Sequence, residues 1–465
     1  MTMASIGQKI LAFLYFTLIA RTLGVEDTGK YFLALSFTTV FVVFIDLGLT
    51  NVMIREIAKQ KDFLQKYFSN IFFVKIFLAV LVYIAAIIFA NVFGYGLEVR
   101  HMIYLSAVTM VFDTFHLTAY GALRAMHNVK YEAIGIVLSQ GITLILGTIF
   151  LFLKFPLIFL IFAFTFASFV NFCFALWVLK NKYNISLKPR YDKLVFRHFL
   201  FIFLPFALAA IFARIYSYAD TLILSKMMGN SFVGIYSIPY KITYAFQFIP
   251  VALVAALYPK LSDYYVSARE KMGEVLEFAL KYLFVIVFPI AIGIMVLSED
   301  LILFLYGKNY LPSVLPLQVL IMSLIFSYVS FPVGAFLNAA GRQTLQMKIV
   351  AFVTFVNIFA NIWLIPEIGV VGAAIAAALG NFLLTAVGFY FIPKITKVDG
   401  GRIFSIFLRV AFAACIMGIS VYALNMQIPF YLTIPVGAVI YIAMLFIFKV
   451  VSIPQIKELL LLVRK

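Results

Sequence analysis

The chain has 465 residues, 65% of them hydrophobic and 12% charged, with a formal net charge of +17. A soluble fold of this length cannot bury so much apolar surface, so the composition excludes a soluble protein and implies an all-α polytopic membrane protein. The positive charge alternates with the sides of the membrane instead of forming one patch, which excludes nucleic acid as the reason for it.

Stretches of about 20 apolar residues, each long enough to cross a hydrocarbon layer of about 30 Å, predict fourteen membrane helices. The first six cover roughly 4–20, 31–50, 72–93, 102–121, 132–153 and 156–179. The first run ends in ARTLG without a cleavage pattern, so it reads as a span and not as a signal peptide. Arg21 follows this span, Asp46 lies late in the second, and Arg55 lies just beyond it. Arg21 and Arg55 suit helix ends among headgroups, while an embedded Asp46 needs a nearby helix end or Arg55 to satisfy it. In the fourth span Asp113 and His116 are spaced i,i+3 and share a helical face. That spacing fits a proton relay, and equally a local hydrogen-bonded pair. Gln140 and Asn171 are polar residues of the kind that join helices.

The polar, basic stretch 181–198 reads as a linker between an N-terminal unit, 1–180, and a second unit, 199–392. The second unit contains spans at roughly 199–224, 231–256, 279–298, 313–337, 347–365 and 368–391. Two more, at roughly 403–424 and 428–448, lie in a C-terminal part, 393–465. Near the start of the second unit, ARIYSYADTLILSKMMGNSFVGIYSIPYKI carries Arg214, Asp220 and Lys241 in an otherwise apolar setting. Arg214 lies 14 residues before Met228 and Lys241 lies 13 after it. At about 1.5 Å per residue, each sits about 20 Å from the turn, near mid-membrane. A charge there costs about 2.5–3.5 kcal/mol even on the lenient insertion scale, so two cations at that depth call for an anion or water. Pro205, Pro239, Pro250, Pro289, Pro316 and Pro332 favour kinks, which suit gating helices or simple packing. Asn357 and Asn361 are spaced i,i+4 and can share a polar face.

The same hairpin has an echo. Gly229, Gly234 and Tyr236 repeat the spacing of Gly24, Gly29 and Tyr31, 205 residues earlier, and both copies sit between apolar runs. Weak internal symmetry of this kind marks transporter folds with a substrate site at the repeat interface.

Most of the 36 Lys and Arg fall in loops on the side of the N-terminus. Arg21, Lys30, Arg100, Lys154, Lys226 and Lys308 lie opposite, and Arg214 and Lys241 within spans. This bias places both termini in the cytoplasm. Cys173 and Cys415 fall inside spans and indicate neither a disulfide framework nor a metal site. There is no phosphate-binding G-x4-GK[ST] loop, metal-ligand cluster or nucleophile triad, so no cofactor and no enzymatic activity are expected. The short outer loops also leave no room for the domain of a membrane transferase. A carrier is the class that remains.

ARTLGVEDTGKYFLALSF, ADTLILSKMMGNSFVGIYSIPYKI, ALYPKLS, LNAAGRQTLQMK and IPEIGVVGAAIAAALG together resemble the Wzx-type polysaccharide flippases. These belong to the multidrug/oligosaccharidyl-lipid/polysaccharide exporter superfamily, and the resemblance spans nearly the full length in order. It implies two six-helix bundles around a central cavity plus two C-terminal helices. It implies alternating access, coupled to H+ or Na+, that carries a polyprenyl-(pyro)phosphate-linked oligosaccharide to the outer leaflet of the cytoplasmic (inner) membrane. A polysaccharide polymerase and glycosyltransferases would be its partners, beside the membrane lipids. On that picture Arg214 and Lys241, then Arg21 and Arg55, bind the phosphate headgroup, and Asp220, Asp46, Asp113 and His116 serve as charge partners or in ion coupling. Two readings stand beside it: a peptidoglycan lipid-precursor flippase, and a multidrug/cation antiporter of the same superfamily.

Overall fold

The computed structural model describes residues 2–451. In an apolar medium every backbone amide and carbonyl needs an internal partner, and the apolar runs satisfy this as helices. They form two units. The first contains the chain to Ser237 together with Val350–Ala373, and the second contains Ile238–Ile349 and the described chain from Ala374.

The first unit comprises α1 (Thr2–Leu23), α2 (Val25–Asp46), α3 (Leu49–Lys59), α4 (Leu64–Val92), α5 (Leu97–Ala125), α6 (Lys130–Phe152), α7 (Ile158–Tyr183), α8 (Lys193–Met227) and the first turns of α9 (Asn230–Phe246). Helix α5 packs on α2, α4 and α7, while α6 packs on α1 and α7. Lys30 pairs with Asp27 at 3.0 Å and Glu98 at 2.9 Å, tying the start of α2 to the start of α5.

The second unit comprises the rest of α9, then α10 (Phe248–Ser267), α11 (Arg269–Val296), α12 (Ser298–Leu305), α13 (Val314–Ala339), the outer parts of α14 (Gln343–Phe391), α15 (Gly400–Asn425) and α16 (Phe430–Ile447). Helix α11 packs against α13 and α15, and α15 against α16.

Among the described residues 12 helices are long and apolar enough to cross a membrane, against fourteen expected spans. The expected spans 347–365 and 368–391 both lie in α14, which is 49 residues long and broken at Ile368 and Gly369. The expected first span lies in α1, a helix of 22 residues outside the twelve. The second span also differs from expectation. Helix α2 stops at Asp46, because Leu47 and Gly48 turn left-handed with φ of 46° and 78°. A glycine tolerates that conformation at little cost, and α3 then leaves as an amphipathic helix. Its Val52, Met53 and Ile57 are buried while Arg55 and Lys59 are exposed.

The polar linker is fastened to the start of α4. The side-chain amide of Gln65 donates to the Ser186 carbonyl at 2.9 Å and accepts from the Ser186 amide at 2.7 Å. Asn70 donates to the Asp192 carbonyl at 3.0 Å. Asp192 pairs with Lys66 at 2.9 Å and caps α8, accepting from the amides of Leu194 and Val195. The hydrogen bond from Lys66, then those amides, hold the Asp192 carboxyl below its usual range. A lowered folded-state value means its stabilisation is complete above the ordinary aspartate pKa of about 4 and lost as pH falls through the lowered value. The melting-temperature difference between the wild type and Asp192→Asn should therefore be present at neutral pH and vanish in acid.

The two copies of the echo touch one another. Gly24 and Gly229 both take positive φ, 82° and 91°, at the entries to α2 and α9. One turn on, a Cβ on Gly29 would lie 1.9 Å from the Asn230 carbonyl oxygen. A Cβ on Gly234 would lie 2.0 Å from the Val25 carbonyl oxygen. Only two glycines permit this backbone-to-backbone crossing. Tyr31 and Tyr236, which complete the two motifs, are both buried.

Candidate functional site

Asp220 lies buried on α8. Three polar side chains from other parts of the first unit converge on it. Tyr236 on α9 donates its hydroxyl to Oδ2 at 2.9 Å. Asn361 on α14 donates Nδ2 to Oδ1 at 2.7 Å. The same Nδ2 lies 2.9 Å from the Asn357 carbonyl and 3.2 Å from Asn357 Oδ1. The i,i+4 spacing of Asn357 and Asn361 thus builds one polar face, and that face points at the acid. The Asn361 Oδ1 has no hydrogen-bond partner among the described residues. A buried carboxylate suits a proton or a hard monovalent cation, since hard cations take oxygen ligands. Among the described residues no group of three His, Cys, Asp or Glu is placed to hold a metal ion.

The expected cations fall in different places. Arg214 is exposed on α8, in the first unit. Lys241 is half-buried on α9, in the second. Both α8 and α9 are helical from the turn at Met228 and Gly229 to these residues, so each lies about 20 Å along its own helix from that turn. Arg21 is exposed in the last turn of α1, where a cation favours the helix dipole. Arg55 is exposed on α3, with its Nε 3.9 Å from Glu56 Oε1.

Arg55 is therefore not the partner of Asp46. That partner is Lys75 on α4. Its side chain is 0% exposed, against 29% for Asp46. The Lys75 ammonium donates to Asp46 Oδ1, to Thr50 Oγ1 at 2.7 Å and to Thr118 Oγ1 at 2.6 Å. The other carboxylate oxygen accepts from the Gly48 amide at 3.1 Å, so the helix end contributes as expected. One signal was available: position 75 falls inside the expected span 72–93, and a lysine there needs an explanation.

Asp113 and His116 are neighbours but not a hydrogen-bonded pair. Their closest approach is 3.7 Å, from Nδ1 to Oδ1, and the Asp113 oxygen instead accepts from Ser168 at 2.6 Å. Asn171 joins helices as expected, accepting the Tyr120 hydroxyl at 2.6 Å.

Residues 1–265, more than half of the chain, match the model of the polysaccharide biosynthesis protein family. The chain belongs to that family. Residues 205–363 of this polysaccharide biosynthesis family member also match the MatE family. The capsular polysaccharide biosynthesis protein CapF of Staphylococcus aureus is 25% identical to it over 414 residues, 85% of this chain and 98% of CapF. The probable low-salt glycan biosynthesis flippase Agl15 of Haloferax volcanii is 22% identical over 394 residues, 83% of this chain and 81% of Agl15. Among solved structures, the lipid II flippase MurJ in an inward closed conformation aligns with a TM-score of 0.79 at 18% identity, over 96% of this chain and 98% of MurJ. An inward-facing multidrug resistance MATE transporter aligns with a TM-score of 0.69 at 16% identity, over 86% and 95%. At such identities the likeness is one of fold. The expected superfamily and its helical membrane architecture are thereby shown, while the roles of individual residues rest on their geometry.

Proposed function

We propose that this family member is a flippase that moves a polyprenyl-(pyro)phosphate-linked oligosaccharide from the cytoplasmic to the outer leaflet for polysaccharide biosynthesis. The observation that carries the reading is the similarity to CapF along almost its whole length. Arg214 and Lys241 are assigned to the phosphate headgroup, with Arg21 and Arg55 in lesser contact at helix ends. Arginine grips phosphate oxygens in a fork, and lysine supplies a compact charge. The bundles are assigned to 1–180 and 199–392, with both termini in the cytoplasm and the chain in the cytoplasmic membrane. Alternating access between them is coupled to H+ or Na+ at Asp220. A polymerase and glycosyltransferases handle the carried sugar before and after transfer.

The test is flipping of a fluorescent polyprenyl-pyrophosphate oligosaccharide in proteoliposomes. Arg214→Ala and Lys241→Ala should each abolish it while protein level in the membrane stays normal. Flipping by the wild type with undiminished variants would remove these residues from the headgroup site. The MatE match over 205–363 favours a second reading, a multidrug antiporter. No flipping by the wild type, with efflux of cationic drugs in its place, would establish that one. Flipping of a peptidoglycan precursor alone would make the chain a flippase of that lipid.

A further inference from the structure

The Asp46–Lys75 cluster has the form of an occupied cation site. Three oxygens surround the Lys75 nitrogen: a carboxylate oxygen of Asp46 and the hydroxyls of Thr50 and Thr118. They come from both sides of the helix break at Leu47–Gly48 and from α5, so the cradle is built by tertiary structure and not by one helix. Each hydroxyl proton is already directed elsewhere. Thr50 donates to Asp46, and Thr118 donates to the Thr114 carbonyl at 2.8 Å. The lone pairs of both hydroxyls are thus fixed toward the ammonium. The cradle presents only acceptors and carries one negative charge, the donor set of a hard cation. Lys75 is fully buried, so the lysine stem closes the site from the side of α4.

We propose that Lys75 is a tethered cation: its ammonium fills an oxygen cradle of Asp46, Thr50 and Thr118 and keeps free monovalent cations out of it. The inference goes beyond the flippase reading and does not rest on it. Its consequence for that reading is a division of labour, in which the acid on α2 is neutralised within the chain and the acid on α8 is left for an exchangeable ion. A cradle emptied of its amine accepts a cation of the same size and charge. Lys75→Ala deletes three carbons and the nitrogen, so n-propylammonium restores the missing atoms, and Na+ supplies the charge alone.

The experiment is a melting-temperature series on the purified full chain in n-propylammonium, sodium or choline chloride at equal ionic strength. Lys75→Ala should melt lower than the wild type in choline. It should regain stability in n-propylammonium, and to a smaller degree in Na+, along the saturable curve that linked binding requires. The wild type should show no such Asp46-dependent shift, and Lys75→Ala with Asp46→Asn should not respond. Two results overturn the proposal. One is a Lys75→Ala protein indifferent to all three salts. The other is Na+ binding by the wild type, measured with radioactive sodium, that Asp46→Asn abolishes. Should Lys75→Ala not fold in choline, purification in n-propylammonium followed by exchange reads the same dependence as unfolding on removal. Lys75→Gln, which keeps an amide donor in the cradle, serves as the second variant and should respond less to either cation.

Discussion

Gly234→Val or Gly29→Val should lower the melting temperature of the chain sharply, whereas Gly141→Ala should not. A Cβ at either crossing position would fall 1.9–2.0 Å from a backbone carbonyl oxygen, which cannot swing aside as a side chain can. Overpacking of this kind typically costs about 1–3 kcal/mol and occasionally more, and valine adds two further carbons to the clash. Gly141, inside α6, has nothing within 4 Å of its Cβ position, so alanine there brings only its better helix propensity of up to about 1 kcal/mol. Because Gly29 and Gly234 share one contact, their substitutions should not add. Once the first has pushed α2 and α9 apart, the second meets an open gap. A double variant that loses the full sum of the two single losses would show that the crossing is not one contact.

The second large effect is at the buried ion pair. Removing one member of such a pair costs about 3–5 kcal/mol, while replacing both by apolar groups of similar volume is often neutral. Asp46→Leu should therefore be severe and Lys75→Met less so. The first strands a cation with no exposure, while the second leaves a carboxylate that keeps 29% of its side-chain surface. The combination of Asp46→Leu with Lys75→Met should recover most of the loss in a denaturant or thermal titration. Equal damage from the double and the worse single variant would mean that the pair's oxygens hold the α2–α3 bend irrespective of charge.

The spans were legible because a hydrocarbon layer imposes a length and a polarity that any apolar run must meet. The break in the second span was not. It depends on Leu47 and Gly48 turning left-handed beside a carboxylate that a distant lysine neutralises. Asp46 and Lys75 are 29 positions apart, and Asp220 and Asn361 are 141 apart. No local pattern encodes which embedded polar groups meet. Helical spacing set Asn357 and Asn361 on one face, and Asp113 and His116 on another, but not what each face meets. The first pair turns toward Asp220, and in the second Ser168 takes the hydrogen bond that His116 was expected to share. The glycine echo told of equivalence between the two hairpins, and equivalence does not imply contact.

That contact has a particular form. Gly29 meets Asn230, Gly234 meets Val25, and each glycine lies the same 205 positions from its counterpart as Val25 lies from Asn230. Reciprocity of this kind is the pattern of an isologous contact, here made between two segments of one polypeptide. Separate identical subunits would have to carry every residue twice. A single chain is released from that constraint: the position 205 before Asp220 is Tyr15, so the acid exists in one of the two hairpins only. Within one chain a reciprocal contact can therefore stand beside a charge that only one of its two sides carries.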